Sequence, residues 1–418
     1  ERRPRRDSRV TTNTHHSELR DRNMMRRWTP PALGAVLVVA SVTPRIAVAL
    51  TTTTAPITTT KPIPRVKLGT SELEVSEVCL GTMTFGKQNT LDEGVAQLDE
   101  AFDTYGLNFL DTAEMYPVPT EAHTQGATDR TIAAWLAKRP GRRSDVVLAS
   151  KVCGASERIT WIRDDGRTPR VTREDIVESV DKSLDRLGTD YIDLLQIHWP
   201  DRYVPLFGSD AYDLAQEREA VPFDEQLRGL QDVVAAGKVR YVGVSNETPY
   251  GVCKFVEAAD REGLPRICSI QNSYSLIVRS DFENGLTEAC SPRHCDVGLL
   301  AYSPLAGGIL TNKYNAATPP ENARLNLFPG FMDRYLSSRA SEAVAKYNDV
   351  AEKHGLSLTQ LALAFCYTRP FVASTIIGAT TLDQLRENLD AFFVDLPDAA
   401  LHDINAVYKT YRDPSKTQ

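Results

Sequence analysis

The stretch LDTAEMYP (Leu110–Pro117) ends an apolar run with an acid, Asp111, and puts a phenol, Tyr116, five positions later. An apolar run that stops at a carboxylate reads as a buried strand reaching the rim of a sheet. The same pattern recurs along the chain. VSEVCLGT, LNFLDTA, DVVLASK, IDLLQIH, VRYVGVSN, CSIQN, VGLLAYSP and ASTIIGA are short runs rich in Val, Ile and Leu. Such runs suit strands buried on both faces of a parallel sheet. Amphipathic segments separate them, from LDEGVAQLDEAFDTY to TLDQLRENLDAFF. Thr172 is placed as an N-cap with Asp175 three residues on, and Gly106, Gly237, Gly263 and Gly355 stand where C′ glycines end helices. Eight strands alternating with eight helices predict an α/β fold, a (β/α)8 TIM barrel, over residues 61–418. PRVKLGTSELEV reads as an N-terminal β-hairpin turning at Gly69, and TQLALAFCYT as an extra apolar helix before the last strand. A doubly wound sheet is the competing architecture, but no G-x-G-x-x-G follows any of the runs.

The first 60 residues differ in kind. ERRPRRDSRVTTNTHHSELRDRN is basic and polar and reads as disordered. The chain begins with Glu1, which suggests an incomplete or over-extended reading frame. Arg26 and Arg27 precede the apolar run ALGAVLVVASV, and Ala47-Val48-Ala49 offers a small-residue cleavage site, so residues 24–49 read as a signal or targeting peptide. The run is too short for a stable membrane span in the mature protein. TTTTAPITTT follows as a low-complexity linker. A secretory or plastid destination fits this leader; without it the protein reads as cytoplasmic.

The 418 residues carry 48 Lys and Arg against 55 Asp and Glu, a net charge of −7. That balance, with no basic stripe, argues against nucleic acid as a partner. Seven scattered cysteines read as reduced core residues. Cys290-SPRH-Cys295 resembles half a zinc site, but no second cluster completes four ligands, so no metal is expected.

In a closed parallel barrel, reactive groups collect at the C-terminal strand ends. Those ends read Gly81-Thr82, Asp111-Thr112, Lys151, His198, Ser245-Asn246, Gln271-Asn272, Tyr302-Ser303 and Gly378. An acid, a phenol, an ammonium and an imidazole on successive strands make one device. Tyrosine titrates near pH 10, and a neighbouring ammonium favours the phenolate and lowers that value. A carboxylate keeps a partly buried lysine charged. His198 can polarise a carbonyl by hydrogen bonding. Side chains do not carry hydride, so such a device needs a cofactor.

The motifs LGTMTFG, FLDTAEMY, LASK, RLGTDYIDLLQIHWP, GKVRYVGVSNET, SIQNSYS, AYSPLAGGILTNKY and IIGATTLDQLREN, spanning Lys67 to about Tyr411, resemble the aldo-keto reductase family, in particular its bacterial Tas-type group. The resemblance implies reduction of an aldehyde or ketone, a small-molecule carbonyl substrate, by NADPH. It implies Tyr116 as proton donor, with Asp111, Lys151 and His198 completing the catalytic set. Tyr302 is implied beneath the nicotinamide, with Ser245, Asn246 and Gln271 on its carboxamide and Thr82 and Met83 beside it. Ser303, Leu305, Gly307 and Lys313 are implied at the pyrophosphate. Arg324, Gly378, Thr380, Gln384, Glu387 and Asn388 are implied at the adenosine end, where Thr380, Gln384, Lys313 and Arg324 favour NADPH over NADH. Phe85, Met115, Trp199 and Tyr203, just past strand ends, are expected to form an apolar substrate wall. The long loops RITWIRDDGRTPR, RYVPLFGSDAYDLAQEREAVP and YNAATPPENARLNLFPGFMDRY are expected to close over it. The rival expectation is a regulatory NADPH-binding subunit, since potassium-channel β subunits share the resemblance. The oligomeric state is not legible.

Overall fold

The computed structural model describes residues 62–209, 211–314 and 320–416. The leader, with its 24–49 targeting segment, lies outside them. Eight parallel strands close into a barrel: β3 (Val78–Gly81), β4 (Phe109–Asp111), β5 (Val147–Val152), β6 (Ile192–Ile197), β7 (Val239–Ser245), β8 (Ile267–Ser273), β9 (Gly298–Tyr302) and β10 (Val372–Ile377). β10 pairs with both β9 and β3, which completes the ring. β5 and β6 are buried at every position. Their largely apolar sequences, VLASKV and IDLLQI, reflect burial on two faces.

Each strand leads into a helix on the outer wall, and local sequence sets where several begin. The Thr90 hydroxyl accepts from Glu93 N–H, and the Glu93 carboxylate accepts from Thr90 N–H, which starts the helix Leu91–Asp99. Thr172 caps Arg173–Leu187 through Asp175 N–H, as the sequence predicts. The Asp175 carboxylate, however, turns away to bind arginines of the preceding loop. After β8 the helical segment is short, running Phe282–Ala289. The apolar helix Leu358–Tyr367 precedes β10 and is buried from Leu358 through Cys366 except at Gln360.

The hairpin β1 (Arg65–Lys67) and β2 (Glu74–Ser76) plugs one end of the barrel. Leu68, Leu73 and Val75 pack with the interior residues Cys79, Phe109, Val147, Leu194, Leu300 and Ile376. The turn at Gly69 has φ +52°, and a Cβ there would lie 2.3 Å from the Cys268 carbonyl oxygen. Only glycine meets both conditions. With this end filled, the open mouth is left to the C-terminal strand ends. No helix among the described residues is long and apolar enough to cross a membrane.

Candidate active site

Polar groups begin where the barrel strands stop being apolar. Asp111 ends β4, Lys151 lies near the end of β5 and His198 follows β6. Register places Asp111 beside Ala149 and Lys151 beside Gln196. The Lys151 ammonium is wholly buried and donates to Asp111 Oδ2 at 2.6 Å, to the Thr112 carbonyl at 2.8 Å and to the Tyr116 hydroxyl at 3.3 Å. The rings of Tyr116 and His198 meet edge to face, with centroids 5.8 Å apart. Asp111 Oδ1 accepts from the Gln271 amide at 2.8 Å, which aims the carboxylate. Side chains from the ends of four strands, β4, β5, β6 and β8, are thus drawn to one point of the mouth.

The electrostatics follow from burial. Burial pulls the Lys151 ammonium down, but Asp111 and Tyr116 outweigh it and hold it above the ordinary lysine value. Burial raises the Tyr116 phenol, and the Lys151 ammonium offsets only part of that rise. This corrects the expectation of a lowered phenol: desolvation wins over the nearby cation, so Tyr116 is a neutral O–H at neutral pH. Burial, then the Lys151 charge, keeps His198 far below the usual imidazole value, so its ring is neutral. His198 Nδ1 is buried and has no hydrogen-bond partner among the described residues.

The mouth opens into a cavity of about 2190 Å³, far above the roughly 300–1,000 Å³ of common small-molecule sites. Thr82, Met83, Met115, Trp199, Ser245, Asn246, Gln271, Tyr302, Ser303, Leu305, Gly307, Lys313, Arg324, Gly378, Thr380, Gln384, Glu387 and Asn388 all line it. Tyr302 donates to Asn246 Oδ1 at 2.6 Å, and Asn246 Nδ2 donates to the His198 carbonyl at 2.8 Å. Ser245 Oγ donates to the Gln271 carbonyl at 2.7 Å. These side chains are therefore held by one another, and the Gln271 N–H groups are turned to Asp111 and Gln196. Both donors of the Gln271 amide are thus engaged. Its amide oxygen is the part left.

The opposite arm of the cavity is cationic. Lys313 and Arg324 both reach it, and neither has a carboxylate partner among the described residues. Burial holds Arg324 below the ordinary arginine value; burial and then Arg324 do the same to Lys313. Two unneutralised cations facing each other suit an anion. Ser303, Ala306, Gly307, Gly308 and Asn312 have positive φ, so the backbone here curls tightly. A Cβ on Gly308 would lie 2.9 Å from Lys313 Nζ, so glycine lets the ammonium lie over the chain. The Thr381 hydroxyl accepts from Gln384 N–H and starts the helix Leu382–Asp390 at the cavity edge. Thr380 donates through both N–H and Oγ1 to Gln384 Oε1. Glu387 accepts from Ser357, and Asn388 donates to the Gly378 carbonyl.

The apolar wall is smaller than expected. Met115 and Trp199 pack against the cluster of Cys153, Ile159 and Ile162, and Trp199 Nε1 donates to the Ala155 carbonyl at 3.0 Å. Phe85 is not part of it. The turn closed by Phe85 N–H on the Thr82 carbonyl sends the ring under Gly94, into the packing of the outer helices, where it is fully buried. Tyr203 also lies elsewhere, its ring 5.2 Å from Tyr212. Parts of all three long loops line the cavity, through Arg158 and Ile159, Phe207 to Ser209, Asn322 to Arg324 and Gly330 to Arg334. Asp210 and residues 315–319 lie outside the described residues.

Sequence reading missed Gln88, whose Oε1 accepts from Arg324 Nε at 3.1 Å. It lies two residues beyond the motif LGTMTFG, which was the available signal. It also missed the buried ion pair of Glu114 and Arg163, 49 residues apart.

Residues 77–409 match the profile of the Aldo/keto reductase family. The chain is 46% identical over 347 residues to Protein tas of Escherichia coli K12, covering 82% of this chain and 97% of that protein. It is 41% identical over 282 residues to an aldo-keto reductase of Babesia bovis, covering 65% and 98%. It is 30% identical over 327 residues to a probable voltage-gated potassium channel subunit beta of Arabidopsis thaliana, covering 78% and 89%. With its closed parallel barrel and the extent of these matches, the chain belongs to the aldo/keto reductase family, a family of oxidoreductases.

Proposed function

We propose that this protein reduces aldehydes or ketones to alcohols with NADPH, and that Tyr116 gives the proton. The observation that carries the reading is the contact of Lys151 Nζ with both Asp111, at 2.6 Å, and the Tyr116 hydroxyl, at 3.3 Å, beside His198. A neutral phenol and a neutral imidazole can both hydrogen-bond one carbonyl oxygen. When bound, NADPH supplies the hydride that the carbonyl carbon accepts. As charge builds on the oxygen, Tyr116 passes its proton to it, and Lys151 stabilises the phenolate left behind. Asp111 keeps Lys151 charged in a site where an isolated ammonium is costly.

The residues present suit the cofactor. Tyr302, Ser245, Asn246 and Gln271 would hold the nicotinamide end. Lys313, Arg324 and the N-terminus of Leu382–Asp390 would hold phosphate groups. The cation pair favours NADPH, with its additional phosphate, over NADH. The test is oxidation of NADPH by the purified protein in the presence of a panel of aldehydes and ketones. The second reading, a regulatory subunit that binds NADPH, draws on the likeness to proteins named as channel β subunits. Tight binding without turnover would select it. For residues 24–49 the proposal is a targeting peptide, tested by the destination of a fluorescent fusion.

A further inference from the structure

Two buried charges beside the site have no part in the chemistry above. Glu114 lies two residues before Tyr116, and its side chain is 2% exposed. Arg163 comes from the loop after β5 and its side chain is 0% exposed. Arg163 Nη1 and Nη2 donate to the two Glu114 oxygens at 2.9 and 3.1 Å, and Nε donates to Asp175 at 3.0 Å. Asp175 opens the helix Arg173–Leu187 and also accepts from Arg167. Glu114 is tied to the end of the lysine strand, at Lys151 itself and two residues beyond it. Its backbone N–H donates to the Lys151 carbonyl at 3.2 Å, and its Oε1 accepts from Cys153 N–H at 2.5 Å. Tyr116 N–H then closes the turn on the Ala113 carbonyl at 3.0 Å.

Such a pair is a poor device for stability alone. Removing two charges from water offsets most of their attraction, and apolar residues of equal volume do as well. What it adds is direction: a planar fork fixes the carboxylate in angle as well as distance. The carboxylate fixed here is the one that clamps the tyrosine turn to the lysine strand. We infer that Glu114 and Arg163 are positioning residues, a buried strut that sets Tyr116 against Lys151 and ties both to the loop carrying Ile159. Met115 and Trp199 pack against the cluster of Cys153, Ile159 and Ile162, so the strut joins the proton donor to the apolar wall. This inference rests on Tyr116 being the proton donor.

The test uses the full chain with Glu114→Gln, Arg163→Lys and the double variant Glu114→Gln/Arg163→Met. Glu114→Gln keeps shape and an acceptor for Cys153, and Arg163→Lys keeps charge without the fork. Each single variant is expected to lower kcat by roughly tenfold to a hundredfold, as small misplacements do. NADPH affinity, read by fluorescence, is expected to stay unchanged. The alkaline limb of kcat moves to higher pH, because the phenol loses part of its ammonium neighbour. Ultraviolet titration of the phenol, differenced against Tyr116→Phe in the same background, reads that shift without turnover. The double variant removes the Glu114 and Arg163 charges together and leaves Asp175 to Arg167, so it is expected to recover part of the thermal stability lost in the single variants but not kcat. Folded single variants with wild-type kcat and an unmoved alkaline limb would overturn the strut. So would a double variant that regains kcat together with stability. If the wild type reduces no carbonyl, the proposed function fails, and the phenol titration alone still decides the strut.

Discussion

Lys151 donates to the Tyr116 hydroxyl across 3.3 Å, and both side chains are buried. The ammonium is fixed in turn by Asp111, itself fixed by Gln271. The phenol therefore meets a cation held by Asp111 and the Thr112 carbonyl and kept charged by its neighbours. Such preorganisation lets a tyrosine act near neutral pH without becoming phenolate beforehand.

Tyr116→Phe removes one oxygen and leaves the ring in place. It is expected to lower kcat/KM by about 10²–10⁴, the usual span of a general acid, with NADPH affinity unchanged. Steady-state kinetics with fluorescence titration check this.

The pH dependence follows from the directions of two shifts. A proton donor works while it is protonated, below its own pKa. Tyr116 is raised, so reductive kcat is expected to stay level through neutral pH and to fall only above the ordinary phenol value near 10. His198 is lowered well below 6.5, so its neutral ring persists on the acid side and gives no step between pH 6 and 7. A kcat profile over this range checks both.

Much of the site was legible because a barrel converts sequence order into position. A polar residue after an apolar run must reach the rim, and the runs before Asp111, Lys151, His198, Ser245 and Tyr302 made those positions readable. Which way a side chain turns past the rim is not set by that rule. Phe85 follows its strand as Met115 does, yet a single turn sends it outward. Phenol ionisation was also misjudged, since sequence shows the neighbouring cation but not the depth of burial. The bond from Arg163 to Glu114 crosses from one loop to another and leaves no periodic trace. The matched arginine and carboxylate are visible only once the barrel brings β4 and β5 side by side.

Arg324 tests the cationic arm. Arg324→Ala is expected to weaken NADPH by roughly tenfold to a hundredfold, the scale of about 1.5–3 kcal/mol for a charged hydrogen bond, and to leave NADH nearly unchanged. Fluorescence titration of both dinucleotides measures the ratio. Equal losses would move the additional phosphate elsewhere.

Gly154 tests the apolar wall. A Cβ there would lie 2.1 Å from the Trp199 carbonyl oxygen and 2.4 Å from its ring. Gly154→Ala is expected to cost about 1–3 kcal/mol and to displace the indole that adjoins His198. Thermal melting by circular dichroism reads the first effect, and a raised KM for bulky carbonyls the second.

Steady-state oxidation of NADPH by the wild-type protein across a panel of aldehydes and ketones is the most direct trial of the central claim. Carbonyl-dependent oxidation, with alcohol formed one for one and lowered about 10²–10⁴-fold in Tyr116→Phe, is the predicted result. Tight NADPH binding with no carbonyl-dependent turnover would contradict it.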